Sequence, residues 1–151
     1  GEGSQFFVRL PIDKEGNVEE SYGLSKYKVQ PTHPENAMKI LVVEPLAAPY
    51  EKEIEGGLES MQTVVGGYIQ AIYPFEDDEL ALICNEEGKL LGLPFNRALV
   101  DGAGRVYDVV VGPFFLCRAP RDGEDFEGLT EGQVEFGKER FRRLEVFTGL
   151  L

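Results

Sequence analysis

The stretch from Leu80 to Arg97 constrains the fold most, because it places two apolar runs on either side of a polar turn. The first run is Leu80 to Cys84, the second is Lys89 to Leu93, and an Asn-Glu-Glu-Gly sequence lies between them. Asparagine and glycine are residues that tight turns favour. We therefore predict a β-hairpin in a buried sheet, followed by a loop after Pro94, because proline has no N–H to donate to a strand ladder.

Three further patterns set the predicted fold class. Met38 to Val43 is apolar at five of six positions, as expected for a strand buried on both faces. Apolar residues recur at three-and-four spacing from Leu58 to Val65, which predicts a helix. Thr130 and Gln133 have capping-box spacing, so a second helix should begin near Glu131. We predict an α+β fold, a mainly antiparallel sheet of about five to seven strands with two helices packed on it.

The length of 151 residues is close to the usual size of one domain, so residues 1–151 are predicted to form a single domain. Within it we distinguish an N-terminal strand-rich extension and linker (1–36), a core sheet with one helix (37–121) and a C-terminal helix (122–151). No apolar run approaches the roughly 20 residues that cross a bilayer, and no basic segment followed by an apolar one stands at the start. We expect a cytoplasmic protein.

The formal net charge is −12, and the excess of acids is largest between residues 37 and 99, where eleven acids accompany four bases. A potential of this sign disfavours phosphate backbones, which are bound by lysine and arginine. We expect a protein partner, with no direct binding of nucleic acid and no membrane. The predicted acidic docking surface comprises Glu76, Asp77, Asp78, Glu79, Glu86 and Glu87.

The four consecutive carboxylates from Glu76 to Glu79 also suggest a calcium or magnesium site, since hard cations take oxygen ligands. They lack the alternate spacing and the glycine of an EF-hand loop, so a solvated turn is favoured. No CxxC or HxxxH spacing occurs in the chain. We predict no metal and no cofactor.

A candidate polar site comprises Asn96, Arg97 and Asp108. Asn96 and Arg97 carry hydrogen-bonding groups of fixed geometry beside the predicted hairpin, and Asp108 is the one carboxylate inside the run from Arg105 to Cys117. The structural alternative, which is favoured, is that Arg97 pairs with an acid and Asn96 caps a turn. Asp108 is then half of an ion pair with Arg97 or Arg105; the bolder hypothesis is a catalytic carboxylate.

Enzymatic activity has weak support in the sequence. The two cysteines, Cys84 and Cys117, each end an apolar run and are expected to be buried free thiols. A nucleophilic thiol needs a base, and the single histidine, His33, lies in a proline-flanked loop. We predict no catalytic residues, although a small enzyme with a cleft beside the hairpin stays open as an alternative.

Six segments follow one another in the chain: Met38 to Pro45, Pro49 to Ile54, Val65 to Ile69, Tyr73 to Phe75, Ile83 to Lys89 and Gly92 to Arg97. In this order they resemble an uncharacterised domain family whose members occur in phages and mobile elements of Gram-positive bacteria. The resemblance covers about residues 38 to 117 and extends more loosely to 141. It implies a genomic setting in which small acidic accessory proteins act on host defence or on element transfer, and it implies no catalytic residues.

The leading functional hypothesis is therefore a non-enzymatic accessory protein of a phage or mobile element. Its acidic surface would dock onto a basic host protein that handles DNA or serves in defence. A second alternative, besides the small enzyme, is an interaction module of a larger protein that uses Tyr22, Tyr27, Tyr50 and the first strand as its contact surface.

Overall fold

The computed structural model describes residues 36–147. Strands and helices are numbered here within that part of the chain. Their order is β1 (Ala37–Val43), β2 (Tyr50–Glu55), α1 (Leu58–Val65), β3 (Ile69–Ile72), β4 (Leu80–Asn85), α2 (Gly88–Leu91), β5 (Phe95–Val100), β6 (Val106–Val111), β7 (Phe114–Arg118) and α3 (Glu131–Arg140). The predicted extension over 1–36 lies outside the described residues except for Asn36.

Five of the described strands form one antiparallel sheet in the order β2-β1-β7-β4-β3, and β5 and β6 form a separate antiparallel pair. Leu41 pairs with Leu116 of β7, and Leu82 of β4 pairs with the same Leu116 from the other side. All three side chains are fully buried. The predicted α+β class and mainly antiparallel sheet are confirmed, and the strand from Met38 to Val43 is an interior strand as expected.

The five-stranded sheet is covered on both faces, because its inner strands are apolar at nearly every position. Helix α1 packs Met61 and Val65 against one face, where Ile40, Ile83 and Phe115 are buried. On the opposite face, α3 and the β5–β6 pair cover a second cluster. Members of this second cluster include Leu41, Leu82, Phe114, Leu116, Leu99, Val110, Val134 and Phe141.

The predicted hairpin from Leu80 to Leu93 is wrong in its second half. Leu80–Asn85 is strand β4, but residues 88–91 form the short helix α2. Strand β4 already has β3 on one edge and β7 on the other, so no edge is left for a returning strand. Leu90 is 84% exposed, which shows that its apolar character does not place it in the core. The structure thus has a third helix in the described residues where two were predicted.

The segment predicted as a loop after Pro94 is strand β5, which pairs with β6. Phe95 faces Val111 and Arg97 faces Val110, so Asn96 is an extra residue in β5, a β-bulge. The bulge interrupts the alternation of side chains between the two faces. Asn96 and Arg97 are consequently both fully buried, although they are neighbours in a strand.

Helix α3 begins as predicted, with a complete capping box between Thr130 and Gln133. The Thr130 hydroxyl accepts from the Gln133 backbone N–H at 3.1 Å, and the Gln133 side chain accepts from the Thr130 N–H at 3.0 Å. Gly137 faces the sheet, where an added Cβ would lie 2.7 Å from Leu41 and 2.8 Å from Leu116. Glycine at this position therefore allows the helix to approach the sheet closely.

Candidate functional site: a buried Asn96–Arg97 clamp and an acidic-rimmed cleft

The Asn96 side chain joins three parts of the fold. Its amide nitrogen donates to the Val43 carbonyl at 2.9 Å and to the Gly112 carbonyl at 2.8 Å. Its amide oxygen accepts from Arg97 Nη1 at 2.8 Å. Both amide hydrogens and the oxygen therefore have partners, which accounts for the burial of a polar side chain without a large free-energy cost.

The Arg97 guanidinium is held by carbonyl oxygens. Nε and Nη2 donate to the Phe141 carbonyl at 3.2 and 3.0 Å, and Nη2 also donates to the Ala47 carbonyl at 2.8 Å. Nη1 makes a longer contact of 3.4 Å to the Glu44 carbonyl. These acceptors belong to the loop after β1 and to the segment that follows α3. Asn96 and Arg97 are together called the clamp below.

The prediction that Arg97 pairs with an acid is wrong for the part of the chain described, since no ion pair there includes its side chain. Burial lowers the pKa of Arg97, while the charge of Glu145 acts in the opposite direction. Arginine still stays protonated, because its ordinary pKa is far above neutrality. Its donors are committed to internal acceptors, so the clamp offers no binding group to a ligand.

A cleft of about 480 Å³ lies at one end of the sheet, beside β3, the end of β4, α2 and β6. Its apolar lining comes from Ile72 and from Val109 to Val111, and its polar lining includes Gln70 and the turn after β4. Cys84 and Asp108 line this cleft, whereas neither Asn96 nor Arg97 does. The structure therefore separates Asp108 from the other two residues of the predicted polar site.

Asp108 pairs with Lys89 of α2, a partner that was not predicted. The two side chains are 42% and 65% exposed, so this ion pair is close to solvent and contributes little to stability. Asp108 also accepts from the Val109 backbone N–H at 2.8 Å. The expectation of a pair with Arg97 or Arg105 is wrong: Arg105 pairs with Asp101. The prediction that Asp108 forms an ion pair is nevertheless confirmed, with Lys89 as its partner.

Both cysteines are buried free thiols, as predicted. Burial raises the pKa of Cys84, the Asp108 carboxylate raises it further, and the ammonium of Lys89 opposes these effects. Burial raises the pKa of Cys117 to about 12. A thiol of raised pKa stays protonated at neutral pH and is a poor nucleophile. Within residues 36–147 no histidine is present to serve as its base.

The four acids from Glu76 to Glu79 form a turn, and three of them have partners within the fold. Asp77 accepts from Gln133 of α3 at 3.0 Å, and Asp78 pairs with Arg121. Glu79 accepts from the Arg121 backbone N–H at 3.0 Å. This turn therefore ties the start of β4 to the connection between β7 and α3, a role that had no signal in the sequence.

Glu86 and Glu87 are exposed in the turn after β4 and line the cleft. Since β4 has six residues, the two acidic turns lie at opposite ends of a strand roughly 17 Å long. The predicted docking residues thus fall into two separate groups. The Glu86 and Glu87 side chains make no hydrogen bond or ion pair among the residues described.

Residues 36–147 contain no group of three or more histidine, cysteine, aspartate or glutamate residues arranged to hold a metal ion. The helices in the same range are all too short and too polar to cross a membrane.

The fold and these two features define an α+β domain that combines an internal polar clamp with an open, acidic-rimmed cleft. The chain matches the family described as Domain of unknown function (DUF3846) over residues 38–142, and it belongs to this family. Apart from Ala37, the first residue of β1, the matched range includes every strand and helix described here and both halves of the clamp. Comparisons with curated proteins and with solved structures found no match.

Proposed function

We propose that this chain is a non-enzymatic accessory protein of a phage or mobile element, and that its acidic surface docks onto a basic protein of the host. The partner would be a protein that handles DNA, such as a restriction enzyme or another defence enzyme, because such proteins carry the basic surfaces that contact phosphates.

The observation that carries the proposal is an excess of carboxylates that have no internal partner. Several acidic side chains make no hydrogen bond or ion pair within the described range. They are Glu53, Glu59, Glu76, Glu86, Glu87, Asp122, Glu124, Asp125 and Glu135.

Few surface cations offset these charges. Arg97 is buried in the clamp, and Lys39, Lys89 and Lys138 are already paired with acids. An uncompensated negative surface attracts a basic partner and accelerates their encounter.

The chemistry of the cleft supports binding more than catalysis. Cys84 has a raised pKa, and its neighbour Asp108 is engaged by Lys89. Nucleophilic catalysis needs a nucleophile, a base and an orienting group within hydrogen-bonding reach. The cleft residues do not supply that set.

The test is affinity capture from a bacterial lysate with this chain as bait, at low and at high salt, with mass spectrometry of the retained proteins. The proposal expects a DNA-handling protein that is retained at about 50 mM salt and released at about 500 mM, because screening weakens contacts between exposed charges. Retention of the same protein at both salt concentrations would argue against charge-based docking.

A further inference from the structure

The cleft beside α2 has the composition of a recognition site that takes an amphipathic ligand. In its apolar lining Ile72 and Val109 are partly exposed, whereas Val110 and Val111 are each only 5% exposed. Leu90 also lines the cleft and is 84% exposed, so its apolar side chain is accessible there. A volume of about 480 Å³ is within the range of ligand pockets.

The charges around the cleft favour a ligand that carries a positive charge. Glu86, Glu87 and Asp108 contribute three carboxylates, and Lys89 contributes one ammonium. Glu86 and Glu87 have no internal partner in the described chain, so they are available to an incoming cation. Phosphates, nucleic acids and anionic lipid surfaces are repelled by this rim.

The Lys89–Asp108 pair at the cleft can open at little cost. Its two members are 65% and 42% exposed, and exposed ion pairs contribute only a small stabilisation. An arginine or lysine that enters the cleft can therefore replace Lys89 as the partner of Asp108 while it also contacts Glu86 or Glu87.

We propose that the cleft binds a basic side chain, with an adjacent apolar residue, from a peptide segment of the protein partner. The basic group would contact Glu86, Glu87 and Asp108, and the apolar residue would pack against the accessible parts of the apolar lining, which belong to Leu90, Ile72 and Val109. This inference rests on the proposed function and assigns its contact to one place, the end of β4 that carries α2.

The test uses the full chain and two synthetic peptides. The probe is an acetylated and amidated hexapeptide that alternates arginine with valine, and its control carries glutamate in place of arginine. Binding is measured by isothermal titration calorimetry at about 150 mM salt, where charges farther apart than about 8 Å are largely screened. We expect saturable one-to-one binding of the basic peptide and none of the acidic peptide.

Two variants with the same change in charge locate the contact. E86Q/E87Q removes both rim carboxylates, whereas E76Q/E124Q removes two exposed, unpaired carboxylates that lie outside the cleft. We expect the Kd of the basic peptide to rise about fivefold in E86Q/E87Q and less than about twofold in E76Q/E124Q, as for two exposed charge contacts. Amide NMR shifts of Lys89 and Val109 should move on binding, and that of Asp77 should not.

The outcomes separate this inference from the proposed function. Salt-sensitive binding that both variants weaken equally, or that leaves the cleft amides unshifted, overturns the cleft as the contact and leaves acidic docking in place. If the basic peptide does not bind at any salt concentration, the cleft inference fails, whereas acidic docking is decided separately by the salt-dependent affinity capture described above.

Discussion

Asn96 and Arg97 are adjacent in the sequence, both are fully buried, and the Asn96 side-chain oxygen accepts a hydrogen bond from Arg97 Nη1 at 2.8 Å. The bulge at Asn96 makes this arrangement possible. Between them the two side chains connect β1, the loop after β1, Gly112 and the backbone of Phe141. The clamp therefore serves the fold.

Arg97→Lys should destabilise the chain by about 3 kcal/mol. Lysine has three donors without the planar fork of arginine, so several buried carbonyls would lose their partners. The measurement is urea denaturation followed by circular dichroism. Arg105→Lys is the matched control, because its side chain is 81% exposed and the change should cost less than about 0.5 kcal/mol. Equal stability of the two variants would refute the structural importance of the clamp.

Replacing either of two glycines of α3 by alanine should change the stability of the chain, in opposite directions at the two positions. Gly132 has open space around its Cβ position, so Gly132→Ala should stabilise the chain by about 0.5 kcal/mol through helix propensity. Gly137→Ala should destabilise it by about 1–3 kcal/mol, because the new methyl would overlap Leu41 and Leu116. Thermal denaturation of both variants checks the pair. An increase in Tm for Gly137→Ala would mean that the helix does not pack as closely as described.

Neither thiol should be ionised at neutral pH. Burial raises the pKa of both cysteines, to about 12 for Cys117, so thiolate absorbance should be absent at pH 7. Cys84 is 8% exposed and Cys117 is 0% exposed, so an alkylating reagent should modify Cys84 first in the folded chain. A Cys84 thiolate at pH 7 would support the enzyme alternative instead.

Stability should fall as the pH rises above about 9. An unfolded cysteine loses its proton near pH 9.0, whereas folded Cys117 keeps it until about pH 12. Between these values the folded state binds more protons than the unfolded state, so the free energy of unfolding decreases with pH. Tyr50 acts in the same direction, since burial and Glu44 raise its pKa to about 12.

The measurement of this alkaline effect is urea denaturation from pH 7.5 to 10.5. Cys117→Ala should be less stable at every pH, because it leaves a small cavity, but should show a shallower decline above pH 9. An identical slope in the variant would show that Cys117 is not the source of the effect.

The sequence correctly predicted the elements whose formation depends on residues close together in the chain. The apolar run from Met38 to Val43 gave an interior strand, and the Thr130–Gln133 box gave the start of α3. The hairpin prediction failed because pairing depends on which strand edges are free. The edges of β4 are occupied by β3, the strand before it in the chain, and by β7, which is distant in sequence. Local turn chemistry carries no information about those neighbours.

The site was predictable only in part for a related reason. The sequence singles out Asn96, Arg97 and Asp108 as polar residues beside or within apolar runs, but it does not reveal which groups they contact. Every residue has a backbone carbonyl, so the residue type does not show that the carbonyl of Phe141 is the acceptor for Arg97. Lys89 is one lysine among several, and nothing near it in the sequence indicates that it lies beside Asp108 of β6.

The most direct test of acidic docking is affinity capture repeated with a variant that neutralises three exposed carboxylates, E76Q/E86Q/E87Q, beside the unaltered chain. None of the three side chains has an internal partner in the described range, so the variant should keep its fold and its Tm. We predict that the DNA-handling protein retained by the unaltered chain at low salt is lost or strongly reduced with the variant. Equal retention by both chains would contradict the account.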